Sequence, residues 1–168
     1  MNVSPLEVIE YIKSAELARG RPPISTDGEI GVYDQGECAA LFLMLKKIFP
    51  QAQPFKVHTI CGRSGLMIIK HILTEIDDVF YDINGVADVS LNKNGYTWNK
   101  PNSTNGKIYY VSNATNEIIG ENLGNHTTNK NFRSGTPLDK DVGLIAREQD
   151  KKKDREMISN VTREFSRD

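Results

Sequence analysis

The chain has 168 residues, a formal net charge of −1 and 38% hydrophobic residues. A chain of this length buries about two-thirds of its unfolded surface, so we predict one domain over residues 1–168. The charge balance lacks the basic excess that binds phosphate backbones, and we therefore expect no nucleic-acid partner. No apolar run is long enough to span a bilayer, and the N terminus lacks the features of a secretory signal. We expect no membrane partner and a cytoplasmic protein, or one delivered into a host or target cell without a conventional signal peptide.

The first predicted element is an N-terminal helix. Ser4 is a good N-cap, Pro5 suits the first helical position, and Glu7 completes a capping box. An apolar stripe continues along the chain until Gly20 ends the helix. Residues 21–37 are rich in Pro, Gly, Asp and Ser, so we predict a loop that leads into the next helix.

The second predicted helix runs from about Glu37 to Ile48, because Asp34 and Glu37 resemble a capping box and Pro50 closes the apolar run. Cys38 then lies within the first turn or just past it. Backbone N–H groups and the positive end of the helix dipole favour thiolate over thiol at that position. The position predicts an activated nucleophile, and the alternative is that Cys38 is an inert core residue of an apolar helix.

The next segment predicts a sheet, because short β-rich apolar runs are separated by turn residues. The runs are residues 55–60, 66–69, 71–76 and 79–83. The last two form a predicted hairpin around Asp77-Asp78. A two-residue turn puts Leu73 opposite Asp82, whereas a four-residue loop puts His71 there. In both registers His71, Asp82 and Asn84 share one face of the sheet.

The second half of the chain is more polar. We predict strand fragments at residues 96–98 and 107–111, and a long polar loop over residues 112–136. A C-terminal helical segment follows over residues 137–168, with a charged run at 148–156 that is either a solvated helical surface or a break between two helices. Its long apolar face predicts a dimer contact or a partner-docking element.

Cys38, His71 and Asp82 occur in the order that a cysteine catalytic triad needs. His71 could form a thiolate–imidazolium pair with Cys38, and Asp82 could orient the ring and stabilise its charge. The backbone N–H of Cys38 and the side chain of Gln35 are candidate oxyanion donors, and Asn84 is a candidate supporting residue. The alternatives are that His71 is a structural histidine and that Asp82 simply begins a turn.

Three segments carry a family resemblance: Gly36-Glu37-Cys38 at a helix start, then residues 70–76 and 79–85. They resemble the papain-like superfamily in its broad sense, which includes transglutaminase-like proteins, NlpC-type amidases and arylamine N-acetyltransferases. The resemblance implies an α+β fold with a papain-like core over about residues 30–111. In that core the nucleophile lies at a helix N terminus packed on an antiparallel sheet, and a C-terminal helix is added. It also implies that Cys38, His71 and Asp82 are the catalytic triad.

Departures from the family narrow the prediction. The chain lacks the upstream glutamine and the aromatic-rich stretch of classical papain-type proteases, and it is too short for the coenzyme-binding lobe of the acetyltransferases. We therefore predict a small amidase, deamidase, transglutaminase-like enzyme or specialised protease. It would act through a covalent thioester at Cys38. A protein or peptide is favoured over a small molecule as its substrate. The alternative is a non-catalytic binding or inhibitory module on the same scaffold.

No cofactor or metal is expected. The two cysteines, Cys38 and Cys61, could be a disulfide, a metal pair or unrelated thiols. There is no CxxC motif, and the spacing of His58, Cys61 and His71 is not that of a zinc site. Cys61 follows a predicted strand and is the obvious competing nucleophile.

Overall fold

The computed structural model describes residues 2–26, 28–29, 31–33, 37–93, 95–99, 108–124 and 137–165. In this part of the chain the fold is α+β, with helices packed against a curled antiparallel sheet. The helices are α1 (Pro5–Ala18), α2 (Cys38–Ile48), α3 (Asn116–Gly124) and α4 (Pro137–Phe165). The strands are β1 (Gln53–Ile60), β2 (Met67–Ile76), β3 (Val79–Asp82), β4 (Gly85–Val86), β5 (Val89–Asn92), β6 (Gly95–Trp98) and β7 (Tyr109–Asn113).

The seven strands form one sheet in the order β4-β3-β2-β1-β7-β6-β5, with antiparallel neighbours. The sheet curls strongly. Phe80 on β3 and Tyr96 on β6 lie far apart in the strand order, yet their ring centroids are 5.4 Å apart. The concave face encloses a second, smaller core built from Val57, Leu73, Phe80, Ala87, Trp98, Tyr109 and Val111.

The opposite face of the sheet packs against the helices. Seven of the residues of α2 are buried, so this helix is apolar on nearly all sides and lies at the centre of the larger core. Ile72 and Ile76 of β2 meet it from the sheet, and Met157 and Val161 of α4 join the same cluster. The main core therefore lies between β2, α2 and the C-terminal helix.

Both predicted N-terminal helices are present. The Ser4 side chain accepts a hydrogen bond of 3.2 Å from the N–H of Glu7, as expected of an N-cap. Helix α2 begins at Cys38, one residue after the predicted start, with Glu37 as an N-cap that makes no side-chain capping hydrogen bond. Asp34, the predicted capping partner, lies outside the described residues.

The hairpin between β2 and β3 has the two-residue register. Ile76 pairs with Val79, and the turn residues Asp77 and Asp78 both have positive φ values, 52° and 69°. Two successive residues of positive φ form a type I′ turn, whose twist matches that of the strands. This register aligns Asp82 with Leu73, so the four-residue alternative is wrong.

A β-bulge interrupts β2 just before His71. Val57 pairs with His71 but His58 pairs with Ile69, which leaves Lys70 as the extra residue. The two runs predicted as separate strands are therefore one bulged strand. Because of the extra residue, Ile69 lies on the helix-facing side of the sheet, whereas His71 lies on the concave side.

The prediction of a polar loop over residues 112–136 is wrong for residues 116–124, which form α3. The Thr115 hydroxyl accepts from the N–H of Ile118, and Ile119 is buried in the main core. One buried isoleucine and a capping threonine are enough to fold a short helix onto α2, and the polar composition hid this signal. Residues 125–136 lie outside the described part. The short strand β5 was not predicted.

Helix α4 is continuous, so the charged run at residues 148–156 is a helical surface and not a break. It is not fully solvated, however. Asp154 is buried and forms an ion pair of 3.0 Å with Arg21, which is also 3.0 Å from the buried Glu16. This network joins α1, the following loop and α4. Across the described residues, no helix has the length and apolar character needed to cross a membrane.

Candidate active site

Cys38 is the first residue of α2, and its side chain is only 5% exposed. Its sulfur lies within hydrogen-bonding reach of the His71 ring and of the backbone N–H groups of Ala39 and Ile72. Backbone amides and a helix N terminus both stabilise negative charge. The surroundings of the sulfur therefore favour the thiolate.

The amide of Ile72 is available to the sulfur because the ladder between β2 and β3 stops before it. Pairing ends at Thr74 and Tyr81. Ile72 is two residues from Thr74, so its N–H points to the same side of β2, where β3 no longer runs alongside. Cys38 lies at this open edge, which is how a residue on the helix side of the sheet reaches His71.

His71 is held between a carboxylate and the thiol. Its Nε2 atom is 3.5 Å from Oδ2 of Asp82, an ion-pair distance that is long for a hydrogen bond. The other ring nitrogen, Nδ1, is the one left for Cys38. Both His71 and Asp82 are buried, so water screens their interaction weakly.

The electrostatics of this group favour a proton on the imidazole over one on the sulfur. Burial alone raises the pKa of the Cys38 thiol, but His71 and the two backbone amides lower it overall below its ordinary value. Burial alone lowers the pKa of His71, but Asp82 and the sulfur raise it to about 10. Both shifts have the same physical cause, a thiolate and an imidazolium in contact.

Asp82 serves the site and the turn after β3 at once. Its Oδ2 faces His71, while its Oδ1 accepts a hydrogen bond of 2.8 Å from the N–H of Asn84. The turn fixes the carboxylate orientation, so the two interpretations of Asp82 are compatible. Asn84 acts through its backbone, and its side chain is exposed. Gln35, the proposed second oxyanion donor, lies outside the described residues.

Trp98 is a further residue of the site that the sequence did not indicate. Its ring stacks on the imidazole of His71, with centroids 5.4 Å apart and planes inclined by 26°. An indole face stabilises a cation and shields it from water. Trp98 is the one tryptophan of the chain and ends a predicted strand, which is the only sequence feature that could have pointed to it. Its place in the site depends on the curl of the sheet, which brings β6 over β2.

Neither Cys38 nor Cys61 forms a disulfide. Cys61 is half-buried in the loop that joins β1 to β2, and His71 lies farther along β2, away from this loop. Within the described ranges, no group of three or more His, Cys, Asp or Glu side chains has the arrangement of a metal site.

A family model described as "Phage YunG-like protein" matches residues 17–134, which is more than half of the chain. The chain belongs to this family. The matched segment includes Cys38, His71, Asp82 and Trp98, and it ends before α4. No curated protein and no solved structure matched the chain.

Proposed function

We propose that this protein is a cysteine-dependent hydrolase or acyltransferase with a papain-like core. The observation that carries the proposal is the contact series of sulfur, imidazole and carboxylate, with the sulfur at a helix N terminus. The order Cys, His, Asp along the chain and the antiparallel sheet behind the helix also support it. The protein transfers an acyl group from an amide or thioester of a protein or peptide.

In the first half of the reaction, the Cys38 thiolate attacks the carbonyl carbon and the carbonyl electrons move to oxygen. The N–H of Cys38 is one donor to this oxyanion, since the first N–H groups of a helix take no part in its own hydrogen-bond ladder. The intermediate then collapses. The bond to the leaving nitrogen or sulfur breaks, and the leaving group takes the proton of the His71 imidazolium, which leaves a thioester on Cys38.

In the second half, neutral His71 takes a proton from water or from an attacking amine. The nucleophile adds to the thioester carbonyl, the carbon–sulfur bond breaks, and the thiolate–imidazolium pair is restored. Water gives hydrolysis and an amine gives transfer. Asp82 holds the ring orientation in both halves and compensates the positive charge when the ring is protonated.

The first test is acyl-enzyme formation. Full-length protein is mixed with a short peptide phenyl thioester and quenched in acid, and the modified residue is located by mass spectrometry. We expect the acyl mass on Cys38, its removal by hydroxylamine, and its loss in Cys38→Ala. The Cys61→Ala variant is the matched control and should acylate normally. Acylation of Cys61 alone, or of neither cysteine, rejects the proposal.

A non-catalytic binding or inhibitory module is the second candidate function. The observation that favours it is the low exposure of the Cys38 side chain, 5%, which leaves little of the sulfur open to a substrate. Cys38→Ala separates the two functions, because binding survives removal of a sulfur atom and covalent catalysis does not. An activity of the protein that is unchanged in this variant supports the binding module.

A further inference from the structure

The sheet surface beside the N terminus of α2 forms a platform that α2 does not cover. We define the hairpin platform by six residues on the helix-facing side of β1, β2 and β7: Lys56, His58, Ile60, Met67, Ile69 and Tyr110. Each of these side chains is half-buried or exposed.

The strand register puts these side chains on one face. His58 pairs with Ile69 and with Tyr110, and Ile60 pairs with Met67. Lys56 pairs with Ile72, which packs against α2, so the platform continues the surface on which α2 lies. The bulge at Lys70 is essential to this continuity, because without it Ile69 and Met67 would face the concave side.

Helix α2 leaves the platform open because of its direction. It begins at Cys38 beside Ile72, and the residues after its C terminus lie at the opposite end of β2, where Gln51 hydrogen-bonds to Asp77. The platform therefore starts where α2 starts and extends away from it toward the hairpin loop. A chain segment bound there would run toward the N terminus of α2, where Cys38 lies.

The platform and the adjoining loop expose large apolar side chains. Ile60 is 60% exposed, Met67 is 51% exposed, and the neighbouring Leu66 is 68% exposed. Ile108, just before β7, is also exposed, whereas the exposed Ile68 alternates to the concave side. Several exposed large apolar side chains in one region of a small protein are typical of an interaction surface.

The charge of the same region is one-sided. The 37 residues from Cys38 to Thr74 contain five Lys or Arg and no Asp or Glu, although the chain as a whole has a formal net charge of −1. Three of these positive residues lie on the β1–β2 hairpin, namely Lys56, Arg63 and Lys70. Burial and the nearby Lys56 lower the pKa of His58, so it adds no charge at neutral pH. The hairpin thus combines apolar contacts with positive charge.

We propose that the hairpin platform binds an acidic, apolar segment of the protein or peptide that supplies the acyl group to Cys38. The proposal rests on the proposed function and names its substrate class. In an extended segment that alternates acidic and apolar residues, the apolar side chains pack on Ile60 and Met67. The acidic side chains alternate with these and face away from the sheet, and the positive charge of Lys56, Arg63 and Lys70 attracts them at longer range.

The test measures binding without catalysis. Three fluorescein-labelled peptides of equal length alternate Glu with Leu, Lys with Leu, or Glu with Ser, and are titrated by anisotropy against full-length Cys38→Ala protein. We expect the Glu–Leu peptide to bind at least about tenfold more tightly than the other two, and added salt to weaken its binding.

Two double variants in the same Cys38→Ala background locate the binding surface. Ile60→Ser with Met67→Ser removes apolar contacts, and Arg63→Glu with Lys70→Glu reverses positive charge on the hairpin. Each should weaken Glu–Leu binding by about tenfold or more. Leu91→Ser on β5 and Lys152→Glu on α4 change exposed residues elsewhere and should bind normally, and thermal melting checks that each variant is folded.

Several results would overturn the platform proposal. Equal binding of the three peptides, or normal binding by both double variants, removes its basis. Sedimentation of the protein with phosphatidylcholine–phosphatidylserine vesicles, lost in the two double variants, identifies the patch as a membrane surface. A dimer disrupted by Ile60→Ser with Met67→Ser identifies a self-contact.

The two proposals fail in different ways. Selective peptide binding without acylation of Cys38 by the same peptide as a thioester rejects the enzyme and keeps the platform. Acylation of Cys38 that is unaffected by the platform variants rejects the platform and keeps the enzyme.

Discussion

Replacement of Asp82 by Asn tests the electrostatics of the site with little change in shape. The Asn side-chain oxygen can still accept the hydrogen bond from the N–H of Asn84, so the turn after β3 should be kept. What is lost is the negative charge beside the imidazolium of His71. Asp88→Asn, a change of the same kind at an exposed carboxylate, is the matched control.

The size of the effect follows from the geometry. Opposite unit charges at the 3.5 Å separation of Nε2 and Oδ2 attract by about 4.7 kcal/mol at an effective dielectric constant near 20. That energy corresponds to roughly three pKa units. Because the Cys38 thiolate still faces the other side of the ring, we expect a smaller net fall of about two units in the pKa of His71.

Alkylation by iodoacetamide as a function of pH measures both groups. In the wild type, Cys38 should gain reactivity at the lowered pKa of its thiol, and a second increase should appear near pH 10 when His71 loses its proton. In Asp82→Asn the imidazolium is less stable, so the upper step moves to lower pH. The imidazolium is present before and after the lower step, so that step should stay in place, and the pH range of the ion pair narrows from its upper end.

Labelled peptides are quantified by mass spectrometry across the pH range, and the upper step of the variant should lie about two pH units below that of the wild type. Cys61 in the same sample is the internal reference and should react equally in both proteins. Superimposable pH profiles for wild type and Asp82→Asn would show that Asp82 does not act on His71, and the triad assignment would fail.

Three further predictions follow from named contacts. Trp98→Leu should move the upper step of the Cys38 alkylation profile to lower pH, because the imidazolium loses its aromatic cover; an unchanged upper step contradicts the stacking role. Asp77→Asn with Asp78→Gly should raise the free energy of unfolding in urea by about 1 kcal/mol, since that pair suits a type I′ turn, and no gain would argue against the turn type. Asp154→Ala should lower the same quantity by about 3 kcal/mol, because it leaves buried Arg21 short of a partner; a loss below 1 kcal/mol means the pair is solvated.

The sequence predicted the parts of the site that depend on local patterns. The cap at Ser4, the helix start at Cys38 and the face shared by His71 and Asp82 each follow from spacing within about a dozen residues. Both candidate registers of the β2–β3 hairpin place the imidazole and the carboxylate on the same face, so their proximity could be predicted before the register was known. Contact of both with Cys38 needed the family resemblance, because no local rule brings α2 to the edge of β2.

The features that were missed depend on long-range closure. Trp98 reaches His71 only because the sheet curls, and curl depends on twist summed over several strands. The burial of Asp154 requires Arg21 and Glu16 to lie within reach of it, from segments more than a hundred residues away in the chain. A run of charged residues usually predicts a solvent-exposed helix surface, so the burial of the one residue Asp154 can be recognised only from the structure.

The bulge at Lys70 links the two halves of the proposal. If β2 kept Lys70 but had no bulge, its side chains would alternate regularly from His71 to the loop that joins β1 to β2. The exposed Met67 would then lie on the concave side with the imidazole. Because the bulge absorbs the extra residue, one strand serves two surfaces: His71 faces the carboxylate and the indole, while Ile69 and Met67 continue the surface beneath α2. Deletion of Lys70 would join Ile69 directly to His71, and regular alternation would then keep Ile69 and Met67 on the platform face, so both peptide binding and the contact between His71 and Asp82 should be retained. That contact is fixed by the hairpin on the other side, through the pairing of Ile76 with Val79.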